Sequence, residues 1–307
     1  MKKLPYSRII RLILWLILSA SYSLLSAQEK VGFAKPMSDE SWDVLQEFFQ
    51  YDKSIPLNAR VVSTQEIDFC TRHKIVFTSV RNERVPGLLA LPKTGEAPYP
   101  LIIGCHGGYG SKDNFWDAIY KHSFLEPMIS AGYAVFILDA VYHGDRISGN
   151  DYDDLHIILN EGLKYTFSDL LIHTAIDNRR ALDYLATRSD IDMNRIGVFG
   201  HSMGGIMTFL LTAVDERIKV SVPCVGPPQY FTMSYPTYLV HYAARINDRP
   251  VLMLMGKSDP TYTIEEAEYL YKNINSKTKN IIWFESGHSL PPEWGNEAVK
   301  WFKTHLK

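Results

Sequence analysis

The segment richest in chemistry is Gly200-His201-Ser202-Met203-Gly204-Gly205. It matches G-x-S-x-G, follows the apolar run Arg195-Ile196-Gly197-Val198-Phe199 and opens onto Ile206, Met207, Phe209, Leu210 and Leu211. A strand, a sharp turn and a helix, in that order, are the context in which this motif presents a serine hydroxyl. The glycines have a steric reason, because bulky neighbours would collide where strand and helix cross. Ser202 is therefore the candidate nucleophile. The N–H groups that open the next helix suit a developing negative charge, and Met203 is expected to supply one of them.

A serine hydroxyl needs a base, and the base needs an orienting acid. With this motif the chain order is Ser, then Asp or Glu, then His. Downstream of Ser202 lie His241, His288 and His305. His288 sits in Glu285-Ser286-Gly287-His288-Ser289, directly after an apolar run, where the base is expected. His241 falls in a Tyr-rich stretch and His305 in the closing helix. The candidate acid is Asp259, in the loop Gly256-Lys257-Ser258-Asp259-Pro260 after the preceding apolar run. Asp248 precedes its run and faces the wrong end. Glu285 adjoins His288 but lies too near its strand end.

His106-Gly107-Gly108-Tyr109-Gly110 follows the apolar run 101–105. A tetrahedral oxyanion needs a second backbone donor, and this loop is where it is expected. Gly108 or Tyr109 supplies it; the spacing does not choose between them. His106 reads as a hydrogen-bonder that holds the loop. The stretch Asp139-Ala140-Val141-Tyr142-His143-Gly144-Asp145-Arg146 follows another apolar run, so it reaches the same edge. It either contacts substrate, braces the oxyanion loop or simply shapes the pocket. His106, Tyr142, His143 and His201 are the pocket candidates. His143 with Asp145, Asp151 and Asp153 lacks metal-ligand spacing and reads as a solvated acidic loop, so no metal is expected. No cofactor is implied.

These residues must be positioned by a sheet. Short apolar runs alternate with amphipathic stretches from residue 101 onward, which predicts βαβ units and a parallel sheet. Helices are expected near 115–131, 174–188, after Ser202, 265–273 and 296–306. Before them, strand-like runs at 60–67, 74–80 and 86–91 suggest antiparallel neighbours. An N-terminal helix is expected where Ser38 precedes Trp42, Leu45, Phe48 and Phe49. The predicted fold class is α/β: one mixed, mostly parallel sheet with helices on both faces. Inserts at 141–168 and 225–249 are placed to shape a pocket.

The 307 residues are 46% hydrophobic with a formal net charge of -2. Lys and Arg form no basic stripe, so nucleic acid is not an expected partner. Lys2, Lys3, Arg8 and Arg11 precede the apolar run 12–18, then small and polar residues to Ala27. That order predicts a secretory signal peptide over 1–27, cleaved near Ala27, and a single domain over 28–307. The apolar stretch is short of the roughly 20 residues that span a bilayer. The mature chain is expected to be exported, periplasmic or secreted, with no stable membrane span. Three cysteines, Cys70, Cys105 and Cys224, form no disulfide framework. Cys105 and Cys224 read as small core residues.

Taken together, these motifs make the chain resemble the α/β-hydrolases. Within them it resembles the dienelactone-hydrolase-like and acetyl-xylan-esterase-like branch, related to the catalytic domains of prolyl-oligopeptidase-type peptidases. The resemblance covers residues 60–307. It rests on Val85-Pro86-Gly87-Leu88-Leu89-Ala90-Leu91-Pro92, His106-Gly107-Gly108, the 139–146 stretch, Asp190 through Gly197, Gly200 through Gly205, Ser258-Asp259 and Gly287-His288. The elbow and the triad order are specific to the superfamily; the other stretches suggest only the branch. The elbow carries Ser where true dienelactone hydrolases carry Cys, it lacks the Asp of dehalogenases, and the chain has no propeller domain. The resemblance implies hydrolysis of a short-acyl ester, on a small molecule or an oligosaccharide. The rival enzyme is a peptidase or amidase, for which 151–154 would anchor a substrate amine. A non-catalytic binding protein is the remaining alternative, and the complete set of chemical residues argues against it.

Overall fold

Two runs rich in β-branched residues form β1 (Arg60–Ile67) and β2 (Cys70–Thr78), and a Leu-rich run forms β3 (Arg84–Pro92), an antiparallel set joined by short turns. The later apolar runs form β4 (Tyr99–Cys105), β5 (Ala134–Leu138), β6 (Ile191–His201), β7 (Ile218–Cys224), β8 (Val251–Gly256) and β9 (Lys279–Phe284). These six are parallel, and β3 joins them antiparallel to β5. The result is one nine-stranded sheet of order β1-β2-β3-β5-β4-β6-β7-β8-β9. The computed structural model describes residues 33–149, 163–229 and 233–307, and Lys35–Lys307 is one compact unit.

Burial explains the composition of each strand. Every residue of β5 and β8 is buried, as parallel strands covered on both faces must be. β1 is the opposite case: an edge strand exposed along nearly its whole length, with Ser, Thr, Gln and Glu at its centre. The helices are α1 (Asp39–Glu47), α2 (Lys164–Leu185), α3 (Met203–Val214), α4 (Leu239–Ala243), α5 (Ile264–Asn273) and α6 (Trp294–His305). Ser38 caps α1, its Oγ accepting from Ser41 N–H at 3.3 Å. Thr263 and Glu266 close a reciprocal capping box on α5, at 3.1 and 2.7 Å. Phe199 of β6 stacks on Phe124 at 4.3 Å and on Trp294 of α6 at 5.1 Å, which ties the central strand to the closing helix.

Three expectations change. The helix expected over 115–131 is broken into a 3-10 turn (Lys112–Trp116), a short α turn, a π segment (Lys121–Leu125) and a final α turn (Glu126–Ser130). Pro127 has no N–H to continue a regular α ladder there. Helix α2 begins at Lys164 rather than 174, because Phe167, Leu170 and Leu171 are core residues that extend its apolar face. The insert expected over 141–168 is shorter by that turn. β2 begins at Cys70 rather than 74, since Cys70 pairs with Pro92 at the end of β3. The signal segment, the acidic positions 151–154 and residues 230–232 lie outside the described residues. Among the described residues no helix is long and apolar enough to cross a membrane.

The sheet order places the chemistry. β4 lies between β5 on one side and β6 on the other, so the chain reverses its direction of travel across the sheet there. In open parallel sheets a crevice forms at such a switch, beyond the carboxyl ends of the strands. The Gly-rich loop leaves β4 at that point and the Ser202 turn leaves β6.

Candidate active site

Ser202 stands between β6 and α3 with φ 59° and ψ -118°. A non-glycine residue in this region carries strain of about 1–3 kcal/mol, and its surroundings must enforce it. Its N–H donates to the Cys224 carbonyl at 2.9 Å, and its carbonyl accepts from Ile206 N–H at 3.1 Å. The glycines of the motif follow from the same crossing. A Cβ on Gly204 would lie 2.6 Å from the Cys105 carbonyl carbon and closer still to its oxygen. A Cβ on Gly200 would lie 2.9 Å from Gly204 Cα.

The loop after β9 carries His288 over this turn. Its Nε2 lies 2.8 Å from Ser202 Oγ, and its Nδ1 lies 2.7 Å from Asp259 Oδ2. An ionised Asp259 can only accept, so Nδ1 carries the proton and Nε2 is free to accept from the hydroxyl. The other carboxylate oxygen of Asp259 accepts from Thr261 N–H at 2.9 Å and Thr261 Oγ1 at 2.7 Å. The Asp259 side chain is fully buried. Burial pushes its pKa up, but the hydrogen bonds from His288 and Thr261 outweigh burial and hold the carboxyl below its usual range. The structure thus brings together Ser202, His288 and Asp259 as one hydrogen-bonded line. Glu285 turns away to pair with Lys257, and His241 is buried with Nδ1 accepting from Met37 N–H at 3.2 Å.

Ser202 and His288 open onto a cleft of about 300 Å³. One wall is the loop His106–Gly110; the other includes Phe115, Ile119 and Tyr120 from the broken helix. Met203, which follows Ser202 as the first residue of α3, is buried. His106 lines the cleft, yet both of its nitrogens are committed. Nε2 accepts from Ala140 N–H at 3.0 Å, so the proton is on Nδ1, which donates to the Gly107 carbonyl at 2.8 Å. Burial, and the neighbouring His143, lower its pKa to about 3. His201 also lines the cleft, with Nε2 donating to the His288 carbonyl at 3.2 Å. Burial and the adjacent His288 lower its pKa to about 4. Both rings are therefore neutral hydrogen-bonders near neutral pH.

The 139–146 stretch is a buried polar hub. Asp139 accepts from Lys112 N–H, Lys112 Nζ and Asp145 N–H, each at 2.9 Å. Lys112 is 1% exposed, so this ion pair is shielded from solvent. Arg146 donates to the Asp139 carbonyl at 3.1 Å and to Asp177 at 2.7 Å, and it pairs with Glu83. Of the four pocket candidates, His106 and His201 line the cleft; Tyr142 and His143 are not among its lining residues. Tyr142 takes a positive φ of 65° at the turn, and His143 points inward, 2% exposed. Sequence reasoning missed Thr261. Its signal was Asp259-Pro260-Thr261, a spacing at which an Asp side chain takes the N–H two residues on. It also missed the cleft wall of Phe115, Ile119 and Tyr120, which carries no motif.

The chain is 28% identical over 258 residues to YtaP of Bacillus subtilis (strain 168), a hydrolase by name, covering 73% of this chain and 85% of that protein. YuxL of the same organism, a peptidase by name, is 26% identical over 262 residues, which cover 69% of this chain but 35% of YuxL. Among solved structures, acetyl xylan esterase 1 from Thermoanaerobacterium sp. JW/SL YS485 superposes with a TM-score of 0.70 at 19% identity, over 88% of this chain and 94% of that one. The sheet order and helices are those of the α/β-hydrolase fold. The family model for dienelactone hydrolases matches residues 85–293, more than half of the sequence. The chain belongs to the dienelactone hydrolase family.

Proposed function

We propose that this protein is a serine carboxylic ester hydrolase that acts through an acyl-enzyme on Ser202. The observation that carries the reading is the unbroken line Asp259–His288–Ser202, at 2.7 and 2.8 Å, ending in the cleft beside a Gly-rich loop. Ser202 Oγ attacks the ester carbonyl as His288 Nε2 takes its proton. Asp259 keeps the imidazole in the Nδ1–H form and stabilises the imidazolium. The tetrahedral oxygen is held by the N–H of Met203 and by that of Gly108. Gly108 is preferred over Tyr109 because Gly107 abuts the nucleophile: a Cβ there would lie 3.6 Å from Ser202 Cβ, and the next N–H in the chain is that of Gly108. The alcohol leaves with the proton from His288, and water repeats the sequence to release the acid.

The cleft, at about 300 Å³, is at the small end of ligand pockets and has apolar walls, which suits a short acyl group. Family membership supports ester chemistry, since a lactone is a cyclic ester. The acetyl xylan esterase with the same fold makes a carbohydrate acetyl ester a reasonable substrate class. The match to YuxL keeps an amide substrate as the second reading. The N-terminal charge and apolar pattern support export, to the periplasm or beyond the cell. A fluorophosphonate probe followed by peptide mass spectrometry tests the site. The label is expected on Ser202 and absent from Ser202→Ala; labelling elsewhere, or none on active protein, refutes the assignment.

A further inference from the structure

An oxyanion donor must be fixed before the reaction begins, because reorienting it during the reaction would cost the stabilisation it gives. Gly108 has no side chain to restrain its φ and ψ. Two peptide planes meet at its Cα. The first carries the Gly107 carbonyl together with the Gly108 N–H; the second carries the Gly108 carbonyl. Holding both planes fixes Gly108. The Gly107 carbonyl accepts from His106 Nδ1–H at 2.8 Å and from Gly110 N–H at 3.0 Å. The Gly108 carbonyl lies 2.8 Å from His143 Nε2. The two rings are neighbours, with centroids 4.9 Å apart.

We propose that His143 is a positioning residue: its Nε2–H holds the Gly108 carbonyl and so keeps the Gly108 N–H aimed at the tetrahedral oxygen. This rests on the acyl-enzyme reading above. The ring does not meet substrate, since it is 2% exposed and does not line the cleft. Its backbone is anchored, His143 N–H donating to the Ala140 carbonyl at 3.0 Å, within the loop that the buried Asp139–Lys112 pair braces. The ring's Nδ1 lies 2.7 Å from the Val141 carbonyl, so its two nitrogens face two acceptors. A neutral imidazole has one proton to give them, and the forms that hold Gly108 are those with a proton on Nε2.

That asymmetry provides the test. Glutamine at 143 carries an amide N–H at about the reach of Nε2, asparagine at about the reach of Nδ1, and methionine fills the glutamine volume with no donor. The full chain is assayed as His143→Gln, His143→Asn and His143→Met, beside Ser202→Ala, with a short nitrophenyl ester. Affinity for a boronic acid, which forms a tetrahedral adduct on a reactive serine, is measured in parallel. Removing one oxyanion donor outright costs about 10²- to 10³-fold, so a misaimed donor is expected to cost about 10- to 100-fold in kcat. The Asn and Met variants show that loss, with KM within about threefold and boronate binding weakened in step. The Gln variant recovers most of it. If the Asn variant does not fold, the size-matched Gln and Met pair carries the comparison. Equal kcat and equal boronate affinity for Gln and Met, with Ser202→Ala inactive, would show that the ring only packs; the proposal then fails while the acyl-enzyme reading stands. Native turnover in Ser202→Ala overturns both.

Discussion

Replacing Asp259 by asparagine changes one atom and should remove most of the activity. The two oxygens of Asp259 have different tasks: one accepts two hydrogen bonds from Thr261, at 2.9 and 2.7 Å, and the other faces His288 Nδ1 at 2.7 Å. An asparagine must keep its oxygen toward Thr261, because the Thr261 N–H can only donate. Its NH₂ is then locked toward His288 Nδ1. That nitrogen becomes the acceptor, the ring proton moves to Nε2, and the base presents a proton to Ser202 in place of a lone pair. A triad with the wrong tautomer loses about 10⁴-fold in kcat, equivalent to about 5 kcal/mol of barrier. The expected result for Asp259→Asn is that loss in kcat for a short nitrophenyl ester, little change in KM, and a cooperative melt close to that of the native protein. A folded variant retaining more than about a tenth of native kcat would refute this account of how Asp259 orients the base.

Other outcomes follow from the same structure. Gly204→Ala should both destabilise the protein and depress kcat, because the new methyl meets the Cys105 backbone rather than a flexible side chain; unchanged melting and kcat would contradict the reason given for the glycine. Stability should fall as the pH drops from 7 to 5. His106 and His241 are buried and His201 is half-buried at the cleft; their pKa values are lowered from 6.5 to about 3, about 4 and about 4 respectively, desolvation being the main cause of each. The unfolded chain then binds more protons than the folded one below about pH 6.5, so acid favours unfolding. Melting temperatures measured across that range, if flat, would show that these rings are not held neutral. Cys70, Cys105 and Cys224 are buried, and burial raises each thiol pKa. An aromatic disulfide reagent should modify none of them until denaturant is added, and rapid reaction in the folded state would contradict their packing.

Much of this was readable from residue order. Ser202 announced itself because its turn is steric: only glycine tolerates the approach of Gly204 to Cys105 and of Gly200 to Gly204. His288 and Asp259 followed from strand ends, since a parallel sheet delivers successive loops to one edge. The mixed sheet was legible because its buried parallel strands are short apolar runs separated by helical stretches, while the first three strands follow one another at spacings too short for a crossover. Features that depend on tertiary partners were not legible. Pro127 marks a break near the π segment at Lys121–Leu125, but a proline is equally at home in the first turn of a regular helix, so it does not by itself foretell a π turn. The start of α2 was hidden because its first turn has no capping side chain. Tyr142 and His143 lay on the correct loop, but the direction of each side chain depends on the turn at Tyr142 and on Asp139 beneath it. The cleft wall of Phe115, Ile119 and Tyr120 is ordinary apolar sequence whose role comes only from where the broken helix lies.

The most direct test of the central claim is steady-state turnover of a short-ester panel by the native protein and by Ser202→Ala. The panel combines nitrophenyl esters of rising chain length, acetylated sugars and aminoacyl nitroanilides. The account predicts that the native protein hydrolyses the shortest esters fastest and that Ser202→Ala loses at least about a thousandfold, since nucleophile and base act as one unit. Turnover restricted to the nitroanilides would contradict the ester assignment while leaving the site intact. Ester turnover that persists in Ser202→Ala would contradict the site itself.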